Sequence, residues 1–217
     1  MRKVLMICPY FPPIGGIGVN RSLNLAIRLK ENGYYPTVAT LDYDDIKELK
    51  YAHDESLISH AREIEIIRIR MHYPNRLVDG FQKLRIFRFV RLLFFHIFWE
   101  RENFWIDKAS KHLSEYLKEQ KFDVIYTTSA PFSTLFIGKR IKQSSGLPWV
   151  ADLRDPYSDA YNQPFPTKIH WYISRYVEQR ILKVPNKLVV TTIAQKDLLI
   201  KRKIRNADDI EVIYNGF

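Results

Sequence analysis

Short apolar runs alternate with stretches of helical spacing along the whole chain. Uncharged runs bounded by turn residues are typical of buried parallel strands, whereas apolar residues three or four positions apart indicate amphipathic helices. The runs predict strands at Lys3–Cys8, Thr37–Leu41, Ile64–Ile69, Asp123–Thr127, Pro148–Ala151, Lys187–Thr191 and Glu211–Tyr214. The helical spacing predicts helices around Leu23–Leu29 and at Asp107–Glu119, Thr134–Lys142, Thr167–Leu182 and Gln195–Arg202.

Strands that alternate with helices imply a mostly parallel sheet with right-handed crossovers and helices on both faces. We therefore expect an α/β fold of the Rossmann-like, doubly wound type. Gly33 and Gly146 stand where a helix C-terminal glycine belongs, which supports two of the predicted helix ends. After the last strand the chain reads Asn215-Gly216-Phe217, and an Asn-Gly pair is a turn signal that indicates a continuation.

Composition adds few constraints to this picture. The 217 residues are 46% hydrophobic and 27% charged, which is ordinary for a folded soluble protein. No apolar stretch reaches the roughly 18 residues that a spanning helix needs, so none is predicted. The single cysteine, Cys8, excludes an internal disulfide and a cysteine-based zinc site, and we expect a cytoplasmic location.

The net charge of +10 favours an anionic partner, which could be nucleic acid, a phosphorylated substrate or an acidic membrane surface. Residues 82–99 combine this charge with a predominance of aromatic and aliphatic side chains. Arg85, Arg88 and Arg91 lie three apart and would form one stripe on a continuous helix. Such a helix either packs in the core or lies on an anionic membrane surface, and we favour membrane contact. No nucleic-acid partner is expected, since no recognised binding motif accompanies the charge.

Ligands of doubly wound folds bind beyond the carboxyl ends of the strands, where the strand order reverses. The first loop at such a position contains Gly15 and Gly16, and Asn20 and Arg21 follow it. Glycines let the backbone approach a phosphate or a sugar, and the next helix offers free amide groups. A turn that needs only glycine geometry is the alternative.

Two further loops follow predicted strands. Ser129 and Ser133 could hydrogen-bond a sugar, while Ser133 could equally cap the next helix. Asp152, Arg154 and Asp155 form a cluster that is costly to hold without mutual pairing or a function. We favour a role in orienting a hydroxyl nucleophile or a charged substrate group over a purely structural ion pair.

Several other chemistries find no support in the sequence. The first loop places prolines between the strand and its glycines and lacks the third glycine of a dinucleotide-binding pattern. No P-loop lysine, nucleophile elbow or paired-histidine metal motif is present.

Three segments, in order along the chain, resemble the N-terminal domains of glycosyltransferase family 4. Residues 10–21 resemble the first loop of those domains, residues 149–157 their acidic-x-Arg-Asp-Pro-aromatic strand end, and residues 212–217 their closing hydrophobic-x-Asn-Gly stretch. Tyr157 departs from the commoner Trp, and Phe132 stands where related sequences often carry His.

The resemblance implies a GT-B architecture, in which two Rossmann-like domains face each other across a cleft. It implies a nucleotide-diphospho-sugar donor, no metal or other cofactor, and retention of the anomeric configuration. Residues 1–214 would be the acceptor-side domain, and residues 215–217 would begin the hinge to an absent donor-binding domain. The chain would then be inactive alone.

The resemblance also implies roles for the loop residues. Gly15, Gly16, Asn20 and Arg21 would form the donor-contacting loop, and Ser129 and Ser133 an acceptor-side loop. Asp152, Arg154 and Asp155 would be the catalytic cluster near the acceptor.

The acceptor would be a surface polysaccharide or a lipid-linked glycan, at the inner face of the plasma membrane. A non-catalytic module that docks on membranes or binds the acceptor is the alternative, and a Rossmann oxidoreductase is less favoured.

Overall fold

The structure is a computed structural model that describes residues 2–94, 100–160 and 165–215. Its strands form one parallel seven-stranded sheet in the order β3-β2-β1-β4-β5-β6-β7. The strands are β1 Arg2–Ile7, β2 Tyr34–Leu41, β3 Glu65–Ile69, β4 Val124–Ser129, β5 Trp149–Leu153, β6 Lys187–Val190 and β7 Ile210–Val212. The Rossmann-like α/β fold expected from the sequence is confirmed.

Helices connect the strands. They are α1 Ile17–Glu31, α2 Tyr43–Glu48, α3 Ser56–His60, α4 Asn75–Lys83, α5 Phe87–Leu93, α6 Ile106–Glu119, α7 Ser133–Ser145, α8 Lys168–Ile181 and α9 Ile193–Lys201. Short 3₁₀ helices lie at Arg101–Trp105 and Ala207–Asp209. Gly33 and Gly146 follow α1 and α7 with positive φ values of 80° and 74°, so both predicted glycine stops are confirmed.

The core lies on both faces of the sheet. One cluster includes Leu5, Ile125 and Trp149, and the other includes Met6 and Val38. These alternate strand residues point to opposite faces, so the central strands carry buried apolar residues on both faces, although Val124 and Val150 are partly exposed.

The strand order reverses between β1 and β4. From β1 the chain proceeds outward to β3, and from β4 it proceeds in the other direction to β7. The loops after β1, β4 and β5 therefore meet at the carboxyl edge beside this switch point, where ligands of doubly wound folds bind.

The basic aromatic segment does not form the single helix predicted from its sequence. Helix α4 ends at Lys83 and α5 begins at Phe87, with Arg85 between them at φ 56°. The amide groups of Arg85 and Ile86 donate to the carbonyls of Gln82 and Phe81, which closes the end of α4. The prediction of one stripe on one helix was therefore wrong for Arg85.

The side chains of Arg88 and Arg91, and residues 95–99 of the same segment, lie outside the described part of the chain. Across residues 2–94, 100–160 and 165–215, no helix combines the length and the apolar character needed to cross a bilayer.

Candidate functional site

A buried ion pair joins the first loop region to the end of β5. The Nε and Nη2 atoms of Arg21 donate to Oδ2 and Oδ1 of Asp152 at 2.7 and 2.8 Å. The hydroxyl of Tyr126 on β4 donates to Oδ2 of the same carboxylate at 2.5 Å. Asp152 is 0% exposed, so both of its oxygens are occupied by protein groups. This pair links β4, β5 and α1 at the switch point.

Arg21 also reaches the last described residues. Its Nη1 donates to the carbonyls of Ile213 and Tyr214 at 3.1 and 3.2 Å, and to Oδ1 of Asn215 at 3.2 Å. Burial alone would lower the pKa of Arg21, but the bonds and charge of Asp152 hold that pKa above its ordinary value. One guanidinium therefore fixes residues 213–215 against α1 and β5.

Arg154 spans the other side of the same junction. Its Nη1 donates to the carbonyl of Gly18 at 2.9 Å, and its Nη2 donates to the carbonyl of Ala130. A Cβ at Gly18 would lie 2.5 Å from Nη1 of Arg154, so a larger residue there would displace the Arg154 guanidinium from its present position. The loop after β1, the loop after β4 and the end of β5 are thus held together by one side chain.

The other two glycines of the first loop differ in what they require. Gly16 has φ 108° and open space around it, and it precedes α1 with no side-chain cap. A Cβ at Gly15 would lie 3.0 Å from Cβ of Asp54, which is a tight contact. Gly16 therefore satisfies the turn geometry expected of this loop, and it leaves the space in front of α1 open.

The predicted site residues differ in exposure. Asp155 and Asn20 are exposed, and Arg154 is partly exposed, whereas Asp152 is buried. Asn20, Arg21, Arg154 and Asp155 all line one groove of about 720 Å³, whose apolar wall includes Val150. That volume is within the range of pockets that hold small-molecule ligands, about 300–1,000 Å³.

Ser129 and Ser133 are both buried. The alternative that Ser133 caps α7 is wrong, because the helix begins at Ser133 itself and its Oγ has no hydrogen-bond partner among the described residues. Instead, the carboxylate of Glu100 accepts from the amide groups of Phe132 and Ser133 at 2.7 and 2.9 Å. Burial raises the pKa of Glu100 to about 7, although these two amide bonds oppose the shift.

Phe132 and Tyr157, the two aromatic residues that depart from the family pattern, pack against each other. The rings of Phe132 and Tyr157 stack with centroids 4.0 Å apart. The amide groups of Tyr157 and Ser158 donate to Oε1 of Glu178 on α8, which also binds Arg202 at 2.6 Å through Oε2. Helix α8 therefore anchors the loop that follows Asp155.

Tyr126, Glu100 and Glu178 were not predicted from the sequence. Glu178 lies on the buried face of α8, but the apolar residues of that helix occupy more than one face, so their spacing does not identify the buried one. Tyr126 lies within a strand, and Glu100 pairs with residues more than 30 positions away, so neither has a local signal.

Comparison with known proteins agrees with this architecture. A family model described as Glycosyltransferase Family 4 matches residues 14–217. No curated protein matches the sequence.

Among solved structures, the fold is similar to a UDP-GlcNAc 2-epimerase from Neisseria meningitidis bound to UDP-GlcNAc, with a TM-score of 0.56 and 13% identity over 97% of this chain and 46% of that chain. It is also similar to a UDP-GlcNAc 2-epimerase from Methanocaldococcus jannaschii, with a TM-score of 0.52 and 13% identity over 99% of this chain and 46% of that chain. A Glycyrrhiza uralensis protein complexed with glycyrrhetinic acid 3-O-monoglucuronide matches with a TM-score of 0.50 and 10% identity, over 99% of this chain and 48% of that chain. The chain thus spans about half the length of each, and likeness at such identities establishes the fold alone.

Proposed function

Because the chain belongs to glycosyltransferase family 4, we propose that it forms the acceptor-side half of a retaining sugar-transfer site in a GT-B enzyme. The donor would be a nucleotide-diphospho-sugar, and the acceptor a glycan of a surface polysaccharide or a lipid-linked glycan. The observation that carries the proposal is the junction of Arg21, Asp152 and Arg154, which brings three loops together at the mouth of one groove.

The donor-contacting role of the first loop is supported by its geometry. Gly16 is exposed, has open space around it and leaves the start of α1 without a side-chain cap. Helix N-termini favour phosphate groups through their free amide groups and dipole. We assign the donor diphosphate or the transferred sugar to the space beside Gly15 and Gly16, with Asn20 exposed nearby on α1.

The acidic cluster divides into two roles. Asp152 positions Arg21, since both of its oxygens are already bound by protein groups. Asp155 is exposed at the groove, so its carboxylate can accept a hydrogen bond from an acceptor hydroxyl. The attacking hydroxyl would lose its proton to the leaving phosphate, and Arg154 would hold the two loops that frame the groove.

The proposed domain organisation follows from the same contacts. Residues 1–214 would form the acceptor-side domain, and residues 215–217 would begin the hinge to a donor-binding domain. Arg21 binds residues 213–215 directly, so the orientation of the hinge would be coupled to the site. The Neisseria meningitidis structure, which contains UDP-GlcNAc, supports the class of donor.

The test measures sugar transfer by this chain joined to a donor-binding domain, with the anomeric configuration of the product read by NMR. We expect transfer with retention, and no transfer by residues 1–217 alone. Asp155→Asn should lower kcat/KM by about 10-fold, because the acceptor hydroxyl then bonds a neutral amide oxygen, and that hydrogen bond is weaker than one to a carboxylate. Asp208→Asn changes another exposed acid and is the matched control. Full activity of Asp155→Asn, or transfer by the isolated chain, would contradict the proposal.

A further inference from the structure

Helix α8 presents an apolar face to solvent. Ile169, Tyr172, Ile173 and Tyr176 are 68%, 64%, 43% and 60% exposed, and they repeat at the spacing of one helical face. The opposite face of the same helix is already buried in the core through Ser174, Glu178 and Ile181. The exposed apolar face therefore contributes little to the packing of the described domain, and contiguous exposed apolar surface of this kind marks an interaction site.

The charge around this face is positive. Lys168 and Arg180 are exposed near the two ends of α8, and the guanidinium of Arg180 lies 5.9 Å from the centre of the Tyr176 ring. The one acid of the helix, Glu178, is buried and bound to Arg202 and Ser158. Helix α8 thus offers solvent an apolar face with a basic border.

A second exposed apolar segment adjoins this helix. The ring of His170 on α8 lies 2.9 Å, through Nε2, from the carbonyl of Leu92 on α5. The most exposed apolar side chains of the α4–α5 segment are Leu84, Phe89, Leu93 and Phe94, which are 69%, 69%, 77% and 51% exposed. Residues 80–99 contain no Asp or Glu, and Arg85 is exposed among them.

We propose that these two segments form one docking surface for an anionic lipid bilayer. The surface consists of Leu84, Phe89, Leu93 and Phe94 together with Ile169, Tyr172, Ile173 and Tyr176. Tyrosine rings suit the boundary between acyl chains and headgroups, because one end is apolar and the other is wet. Lysine and arginine at the border extend their charged ends to lipid phosphates while their stems cover apolar surface.

Charge complementarity favours an anionic bilayer as the occupant of this surface. The charged residues exposed beside its apolar side chains, Arg85, Lys168 and Arg180, are basic, and the whole chain carries a net charge of +10. A partly aromatic apolar face with a basic border is the pattern of a segment that lies in the plane of a membrane.

The docking surface lies near the candidate site. The α4–α5 segment follows β3 and α8 follows β5, so both leave the carboxyl edge of the sheet, where Arg154 and Asp155 line one end of the groove. The indole of Trp171 donates to the carbonyl of Ser158 at 2.9 Å, and Glu178 binds the amide groups of Tyr157 and Ser158. A bilayer bound to α8 would therefore lie beside the loop that follows Asp155.

Binding to vesicles tests the surface without any measurement of sugar transfer. The purified chain is sedimented with vesicles of phosphatidylcholine containing roughly one third phosphatidylglycerol, and separately with phosphatidylcholine alone. We expect binding to the anionic vesicles that falls as salt rises, because screening weakens the contribution of the basic border. Ile169→Ser with Tyr172→Ser should lower the partition coefficient about tenfold or more, from the apolar area lost. The matched control is Ile58→Ser with Tyr35→Ser, which removes the same two residue types from exposed positions outside the surface.

A second pair of variants tests the contribution of the basic border to vesicle binding. Lys168→Glu with Arg180→Glu should abolish the preference for anionic vesicles. Lys111→Glu with Lys118→Glu makes the same change in net charge at exposed positions outside the surface, and it should largely retain that preference. Equal binding by the parent and the α8 variants would overturn the proposal, as would equal loss in both charge pairs or no binding by the parent. Because these side chains are exposed, unchanged circular dichroism should accompany every variant.

Discussion

The substitution Asp152→Asn tests the junction at the switch point most directly. It removes the charge that faces Arg21, whose side chain is 13% exposed, and replaces one carboxylate oxygen by an amide donor. In either orientation of the amide that donor would face an N–H of Arg21, which cannot accept a hydrogen bond, because Arg21 binds both carboxylate oxygens.

The expected cost follows from the burial of the pair. Removing one partner of a buried ion pair destabilises proteins by about 3–5 kcal/mol, because the other charge stays buried without compensation. Arg21 keeps its bonds to the carbonyls of Ile213 and Tyr214, so the lower half of that range is expected. Tyr126→Phe removes a single hydrogen bond to a charged group and should cost about 1.5–3 kcal/mol.

Urea unfolding followed by circular dichroism measures these values. Asp107→Asn is the matched control, because it breaks the exposed pair with Arg140, whose partners are 90% and 49% exposed, and should cause no measurable change. The double variant Arg21→Met with Asp152→Leu should regain most of the lost stability, since both buried charges are then absent. The reasoning is refuted if Asp152→Asn unfolds at the same urea concentration as Asp107→Asn.

Two further predictions concern α7. Burial raises the pKa of Glu100 to about 7 from an ordinary value of 4.5, so the folded state binds more protons than the unfolded state between these values. The free energy of unfolding should therefore fall by roughly 2–3 kcal/mol as pH rises through this window, and Glu100→Gln should flatten this dependence. Urea unfolding at pH 5 to 8 measures it, and equal pH slopes in the parent and the variant would contradict the prediction. Gly138→Ala would place a Cβ 2.6 Å from the ring of Trp149, and the overpacking of about 1–3 kcal/mol should exceed the helix-propensity gain of about 1 kcal/mol. Gly80 lies in α4 with open space around it, so Gly80→Ala should instead raise the Tm. If calorimetry shows that Gly138→Ala raises the Tm as well, the close contact between position 138 and Trp149 is disproved.

The site was predicted in part. The loops after β1, β4 and β5 were identified from the sequence, because strand ends and glycines are local signals and parallel strands place their carboxyl ends together. The pairing of Arg21 with Asp152 was not predicted, since 131 positions separate the two residues. Gly18 shows the same limit, because the close contact that a Cβ there would make is with Arg154, 136 positions away in the chain.

Helix α8 illustrates what local pattern leaves open. Its spacing predicted a helix at nearly the bounds observed, Lys168–Ile181. It carries apolar residues on more than one face, and periodicity alone does not say which face meets the core. Only the packing of Glu178 against Arg202 and Ser158 shows that the face of Tyr172 and Tyr176 is the one left outside.

The basic aromatic segment shows the converse. Its composition indicated contact with a membrane surface, and that stays a prediction. The continuous helix inferred from its arginine spacing was wrong, because the end of α4 closes on itself with Arg85 in the left-handed region. Residue spacing reports charge and hydrophobicity along the chain, whereas a helix end depends on which backbone groups find partners.

By itself, then, the sequence determined the order and type of the strands and most of the helices, along with the glycine stops after α1 and α7. These features rest on side-chain periodicity and backbone preference, which act over a few residues. The tertiary structure alone decided the partners of Arg21, Arg154 and Glu100, and which face of α8 is exposed. Those features depend on groups that are distant in sequence and come into contact only when the crossover connections bring the strands and helices together, so no local pattern encodes them.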